Sequence, residues 1–186
     1  MSELASAGQL RAGLLRWALV LVPGILLLGI LSGSFAGSGP DNAWFSALEK
    51  PPTYPPPATF GIVWTILYIL MGVALAVVVT ARGARLRKAA IWAFAIQFLL
   101  NLAWSPVFFG LHEITWALVM LVAIDISVLV TLVLFWKVRP LAGGLLVPYM
   151  AWVLFATVLN FQFLQLNPQL DGEEPVGPRQ RIEFGQ

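Results

Sequence analysis

Apolar residues in this chain come in long unbroken runs, with neither the alternation of a strand nor the narrow stripe of a surface helix. Five runs stand out, at 14–35, 58–81, 89–109, 114–136 and 141–166. Each reaches roughly the 20 residues that cross about 30 Å of hydrocarbon at about 1.5 Å per residue. In lipid the backbone must satisfy its own hydrogen bonds, so such runs predict helices. The expected fold is an all-α membrane protein, a bundle of five transmembrane helices. Residues 1–13 form a short leading tail and 14–166 the membrane domain. Residues 167–186, with Asn167, Pro168, Pro175, Gly177 and Pro178, show no apolar period and read as a disordered tail.

Composition sharpens this reading. The 186 residues are 59% hydrophobic and only 11% charged, with a mean hydropathy of +0.84, against roughly 25% charged in a soluble domain. Lipid is therefore the expected solvent and partner. The net charge of +2 gathers in short loops, which is a membrane-orientation pattern and not a nucleic-acid patch. The absence of cysteine removes disulfides, thiolate metal sites and cysteine nucleophiles. The first run follows Arg11 and Arg16 and ends near a small-residue Ser34-Phe35-Ala36 site. It is long for a signal peptide, and Gly29 and Gly33 form a pair suited to helix packing, so retention is expected.

With five spans, the first tail shares a side with loops 82–88 and 137–140. That side holds Arg11, Arg16, Arg82, Arg85, Arg87, Lys88, Lys137 and Arg139; the other holds Lys50, Arg179 and Arg181. The bias places the N-terminus in the cytoplasm. The helical spans suit a bacterial inner membrane, with an outer membrane as the alternative.

Connection 37–57 carries Trp44, Phe45, Leu48 and Tyr54 beside Pro51, Pro52, Pro55, Pro56 and Pro57. A stiff apolar loop of this kind is either a lid over the bundle or a headgroup-layer anchor. Of eight tryptophans, Trp17, Trp92, Trp116 and Trp136 lie near helix ends, where indoles commonly sit at the lipid interface. The second run places Trp64, Tyr68 and Met71 on one face, the third Asn101, Trp104 and Phe108, the fifth Trp152, Ala156 and Asn160. Pro106 interrupts the end of the third run, and Pro148 and Tyr149 precede Trp152. These faces either pack on one another or enclose a cavity for an apolar ligand. Asp125 is the one acid deep in a span. It is either a functional group or half of a helix–helix hydrogen bond, with Ser127 and Thr131 near enough to satisfy it. His112 reads as a solvated loop residue. No metal cluster, phosphate loop, nucleophile elbow or pair of buried carboxylates is present in the sequence.

Several motifs carry a resemblance. Trp44-Phe45-Ser46-Ala47-Leu48-Glu49-Lys50-Pro51, followed by Pro55-Pro56, resembles the first-loop signature of the TspO/MBR family. These are the tryptophan-rich sensory proteins, also called translocator proteins or peripheral benzodiazepine receptors. Phe60-Gly61-Ile62-Val63-Trp64-Thr65-Ile66-Leu67-Tyr68 continues the likeness, as do Asn101-Leu102-Ala103-Trp104-Ser105-Pro106 and Val107-Phe108-Phe109-Gly110. So do Trp116-Ala117-Leu118-Val119, Pro148-Tyr149-Met150-Ala151-Trp152 and Leu159-Asn160. The likeness spans about residues 24–167. It implies a five-helix bundle, often a homodimer, with a pocket closed by the first loop. The implied ligands are porphyrins, heme and other tetrapyrroles, bound as ligand and not as cofactor. The candidate set is Trp64, Tyr68, Asn101, Trp104, Phe109, Trp116, Trp152 and Ala156, with Trp44 in the lid.

Departures from the family pattern bear on this set. Thr53, with Tyr54 beside it, stands where the family loop usually has tryptophan. Phe161 replaces the tyrosine of a cholesterol-recognition pattern, and no basic residue follows it, so sterol binding there is not implied. Met120 stands where animal members have an acid, so Asp125 inherits no role. Three functions follow as expectations. The first is a receptor or transporter-like protein for tetrapyrroles, which makes enzymatic activity the lesser expectation. The second is an enzyme degrading protoporphyrin with light or oxygen, using Trp64 and Trp152. The third is a scaffold in a membrane complex.

Overall fold

The structure, a computed structural model, describes residues 7–173. Residues 1–6 of the tail 1–13 and residues 174–186 of 167–186, including Arg179 and Arg181, lie outside them. Five helices are long and apolar enough to span a membrane. Helix α1 is Ala7–Phe35, α2 a short Ala43–Ala47 turn in the first connection, and α3 Pro57–Thr80. Helix α4 is Arg87–Ser105, continued by a π-helical turn Pro106–Gly110. Helices α5 and α6 are Ile114–Val138 and Pro140–Leu166. The chain is thus a multi-pass α-helical membrane protein, as its apolar runs predict.

Helix starts follow local chemistry. Pro57 and Pro140 open α3 and α6, where a missing N–H costs nothing and φ is preset. Gly37, at φ +62, turns the chain out of α1, a conformation that suits a residue without Cβ. Pro106 does more than kink α4. The backbone widens there, and Leu111 N–H donates to Pro106 O at 2.9 Å, the longer ring of a π turn.

Around the bundle α1 packs on α3, α3 on α6, α6 on α5, α5 on α4, and α4 back on α1. The closest approaches use glycine. A Cβ on Gly72 would lie 2.8 Å from Val22 Cα in α1, and one on Gly143 2.8 Å from Trp136 Cα. The expected Gly29/Gly33 pair divides: a Cβ on Gly29 would strike the Tyr68 ring at 2.2 Å, whereas Gly33 meets only Ser38 of the following loop. Helices α1 and α3 are therefore tight at mid-span and part toward the α2 end. Outward positions stay apolar, with Leu19, Val20, Trp92, Leu99 and Ile126 exposed, which in lipid is the favourable state.

Polar groups inside pair across helices. Tyr149 OH donates to Gln97 Oε1 at 2.9 Å, and Thr157 Oγ1 on α6 donates to Asp125 Oδ2 at 2.8 Å. The expected Ser127 and Thr131 partners do not reach Asp125. Their hydroxyls bond back to Ile124 O and Ser127 O on their own helix, the local option such residues take in helices.

The described residues after Leu166 depart from the expected disordered tail. Residues 167–173 form a strap across the α2 end of the bundle. Asn167, almost fully buried, accepts from Glu49 N at 2.7 Å and donates to Glu49 O at 3.0 Å. The Asp171 carboxylate accepts from Ile114 N at 2.6 Å and Thr115 N at 3.1 Å, neutralising orphan donors at the start of α5. Gly172 N–H donates to His112 O. Here His112 departs from the solvated reading. Its backbone is left-handed at φ +61, and its ring stacks on Trp44 at 4.8 Å.

Candidate functional site

A cavity of about 510 Å³ lies in the α2 end of the bundle, walled by α1, α3, α4, α5 and α6 and roofed by the first connection. Helical spacing brings its aromatic walls together. On α3, Phe60, Trp64 and Tyr68 follow at steps of four and share a face; Trp64 stacks on Tyr68 at 5.2 Å and 30°. On α4, Trp104 stacks on Phe108 at 5.1 Å and 16°, and the π turn swings Phe109 in beside them at 4.9 Å from Phe108. On α6, Trp152, Ala156, Asn160 and Phe163 run down one side. Ala156 leaves a step beneath the Trp152 indole.

The roof is held by side chains turned back on backbone. Asn42 Oδ1 accepts from Phe45 N at 2.9 Å and so caps α2, while its Nδ2 donates to Phe109 O at 3.2 Å. The Lys50 ammonium donates to Phe45 O and to Leu48 O and lies 4.2 Å from the centre of the Phe45 ring. Burial lowers its pKa from the ordinary lysine value. Thr53 donates its hydroxyl to Gln162 of α6. Tyr54 beside it stacks on Phe60 at 5.4 Å and lines the cavity; burial pushes its phenol above the usual pKa, so it stays neutral. Of the two readings open for this connection, the lid matches: Phe45 and Tyr54 close the cavity from above.

The wall carries no charge. None of its side chains is Asp, Glu, Lys, Arg or His. Its polar groups are few, and some satisfy each other. Tyr68 OH donates to Asn101 Oδ1 at 3.2 Å, and Thr65 Oγ1 to Gly61 O at 2.7 Å. Such a site cannot polarise or protonate a substrate strongly; it can enclose an apolar molecule and orient it through a few neutral contacts.

Of the residues singled out from sequence, Trp64, Tyr68, Asn101, Trp104, Phe109, Trp152 and Ala156 border this one cavity. Two do not. Trp116 is 63% exposed on the outside of the bundle. The inward stripe of α5 is Ile114, Ala117, Leu121, Ile124 and Val128, and Trp116 precedes Ala117 by one residue, about 100° round the helix. It sits instead in a shallow outer groove with Leu100, Val107 and Met120. Trp44 is 2% exposed but lies behind the wall. Its indole N–H donates to Leu170 O at 3.0 Å, and its ring edge meets Phe108. One helical turn cannot aim two adjacent side chains the same way, and Phe45 takes the inward position. Phe45 and Tyr54, named as aromatics of the lid connection, join the wall, as do Phe60 and Phe163, which were not among the candidates; the step of four from Phe60 to Trp64 was the available signal.

The chain is similar to several known proteins. Over 151 residues the chain is 42% identical to the tryptophan-rich protein TspO of Chlorobaculum tepidum, covering 81% of this chain and 96% of that one. It is 41% identical over 136 residues to protein CrtK of Rhodobacter capsulatus, 73% of this chain and 83% of that protein. With the human translocator protein identity is 38% over 136 residues, 72% and 80% of the two chains. A profile of the TspO/MBR family matches residues 19–166, which takes in the latter part of the first span, the other four spans and the lid, and the chain belongs to that family.

Proposed function

We propose that this protein is a membrane receptor, or transporter-like protein, that binds a tetrapyrrole such as a porphyrin or heme and regulates its handling. The observation that carries this reading is the uncharged, aromatic-walled cavity beneath a tethered lid. A flat macrocycle between the Trp152 indole and the Trp64 and Trp104 walls gains dispersion and apolar burial, at about 25 cal/mol per Å². The step at Ala156 favours a thin guest. The reading predicts that Trp152→Ala weakens protoporphyrin IX binding about tenfold in detergent, followed by the porphyrin absorption band. Equal affinity in the variant removes Trp152 from the site.

An enzymatic reading has support in the position of Trp64 and Trp152 on the lining of the same cavity, where either indole would touch a bound ring and take part in its oxidation by dioxygen under light. The same titration under illumination separates the two. A porphyrin spectrum that persists through prolonged light argues for binding alone, while bleaching lost in Trp64→Phe argues for catalysis. A homodimer or a scaffold would use the outer faces, such as the Ala89 and Ala93 side of α4, where small residues permit close approach. The charge bias of the loops supports a cytoplasmic N-terminus, in a bacterial inner membrane or else an outer one.

A further inference from the structure

The cavity's polar groups divide into those already satisfied and those left over. Tyr68, Asn101 and Thr65 have partners within the protein. Asn160 does not. It borders the cavity and is 2% exposed, and neither its amide nitrogen nor its amide oxygen has a hydrogen-bond partner. The indole Nε1 of Trp104, on the α4 wall of the same cavity, is likewise buried without one. An unsatisfied amide in lipid-depth protein costs about 1–3 kcal/mol, and buried polar groups overwhelmingly find partners. Two such residues bordering one cavity, from its α4 and α6 sides, mark a place where a ligand group completes the bonding.

Their chemistry defines that group. A carboxamide offers a donor and an acceptor side by side, and the indole adds a second donor. The complement is a group that carries an acceptor next to a donor: an un-ionised carboxylic acid, or the cis-amide of a lactam. A carboxylate anion fits poorly, because no cationic side chain lines the cavity and a buried, unpaired charge is strongly disfavoured. An ester or a hydrocarbon leaves Asn160 Oδ1 unmatched.

We propose that Asn160, with Trp104, forms a neutral polar subsite that selects ligands bearing an un-ionised carboxyl or lactam group. In it, Asn160 Nδ2 donates to the ligand carbonyl oxygen, the ligand O–H or N–H donates to Asn160 Oδ1, and Trp104 Nε1 offers a further donor from the α4 side. This deepens the tetrapyrrole reading, resting on its use of the cavity as a ligand pocket, but it does not require the ring system to be a porphyrin.

The test uses two acid–ester pairs on the purified full-length protein. One is protoporphyrin IX and its dimethyl ester, the other 1-pyrenebutyric acid and its methyl ester, each titrated at mildly acidic pH by its own absorption or emission. The wild type is expected to prefer acid over ester about tenfold in at least one pair. Asn160→Leu, nearly isosteric, is expected to abolish that preference by weakening the acid more than the ester, which loses only the bond to its carbonyl oxygen. Trp104→Phe is expected to reduce it partly. Unchanged circular dichroism of the variants guards against a folding defect, and Asn160→Gln, which keeps the amide, is expected to retain part of the preference. No preference in the wild type for either pair, or a preference that survives Asn160→Leu, overturns the proposal. Tight pyrene binding with no porphyrin binding would overturn the tetrapyrrole reading while leaving the subsite standing.

Discussion

Single positions divide sharply by what a side chain there would meet. At Gly72 an added methyl runs into Val22 backbone, 2.8 Å from its Cα and 3.1 Å from its N. Backbone cannot rotate aside, so Gly72→Ala must push α1 off α3, a loss of about 1–3 kcal/mol of the overpacking kind. Thermal unfolding in detergent is expected to show the lower midpoint. Gly61→Ala is the control: nothing lies within 4 Å of the new Cβ, alanine favours helix over glycine, and stability is expected to hold or rise slightly. The sequence shows both glycines but not which one touches a neighbouring helix. The Gly29/Gly33 spacing drew attention to α1, yet the close backbone contacts at 2.8 Å are made by Gly72 on α3 and Gly143 on α6. Trp116 is a second case. Family likeness pointed it inward, while the Ala117, Leu121, Ile124 and Val128 periodicity of its own helix turns it to lipid.

Among elements, the spans were the most legible because their signal is local: a helix in lipid must be long and apolar wherever it sits. Their ends agree to within a few residues, apart from α1, which begins at Ala7, before its apolar run. The lid and the strap were less legible because long-range bonds hold them. Asn42 caps Ala43–Ala47 from the adjoining position, but nothing local announces that Asn167 will meet Glu49 across 118 positions of chain. That pairing has a consequence for the lid. Asn167→Ala strips partners from both the N–H and the C=O of Glu49, and the lid end of the loop is then tied chiefly by Trp44 to Leu170 and Thr53 to Gln162. The lid should open more often, seen as faster amide exchange over residues 45–50 and a ligand dissociation rate raised about tenfold, with the five spans intact by circular dichroism. Unchanged exchange at Glu49 would show that the strap does not govern the lid.

On the scale of the molecule, the cavity belongs to no single helix. Helical faces can be drawn from spacing, but which faces converge depends on the order α1, α3, α6, α5, α4 around the bundle, and one sequence does not encode that order visibly. What the whole molecule does fix is the relation between cavity and charge. The lid, strap and cavity occupy one end. The opposite end holds Arg82, Arg85, Arg87, Lys88, Lys137 and Arg139. The described lysine at the lid end, Lys50, is folded onto the carbonyls of Phe45 and Leu48, so even that cation is partly withdrawn from the lid surface. If loop charge sets orientation, the cavity faces away from the cytoplasm, and a ligand would be taken up from the far leaflet or the space beyond it. Because the chain has no cysteine, a single introduced thiol is an unambiguous reporter. Ser46→Cys, exposed on the lid, should react with a membrane-impermeant maleimide in intact cells, whereas Arg85→Cys should react only after the membrane is opened. The reverse pattern would turn the cavity toward the cytoplasm, and the protein would then draw its ligand from the compartment where its own loops are most basic.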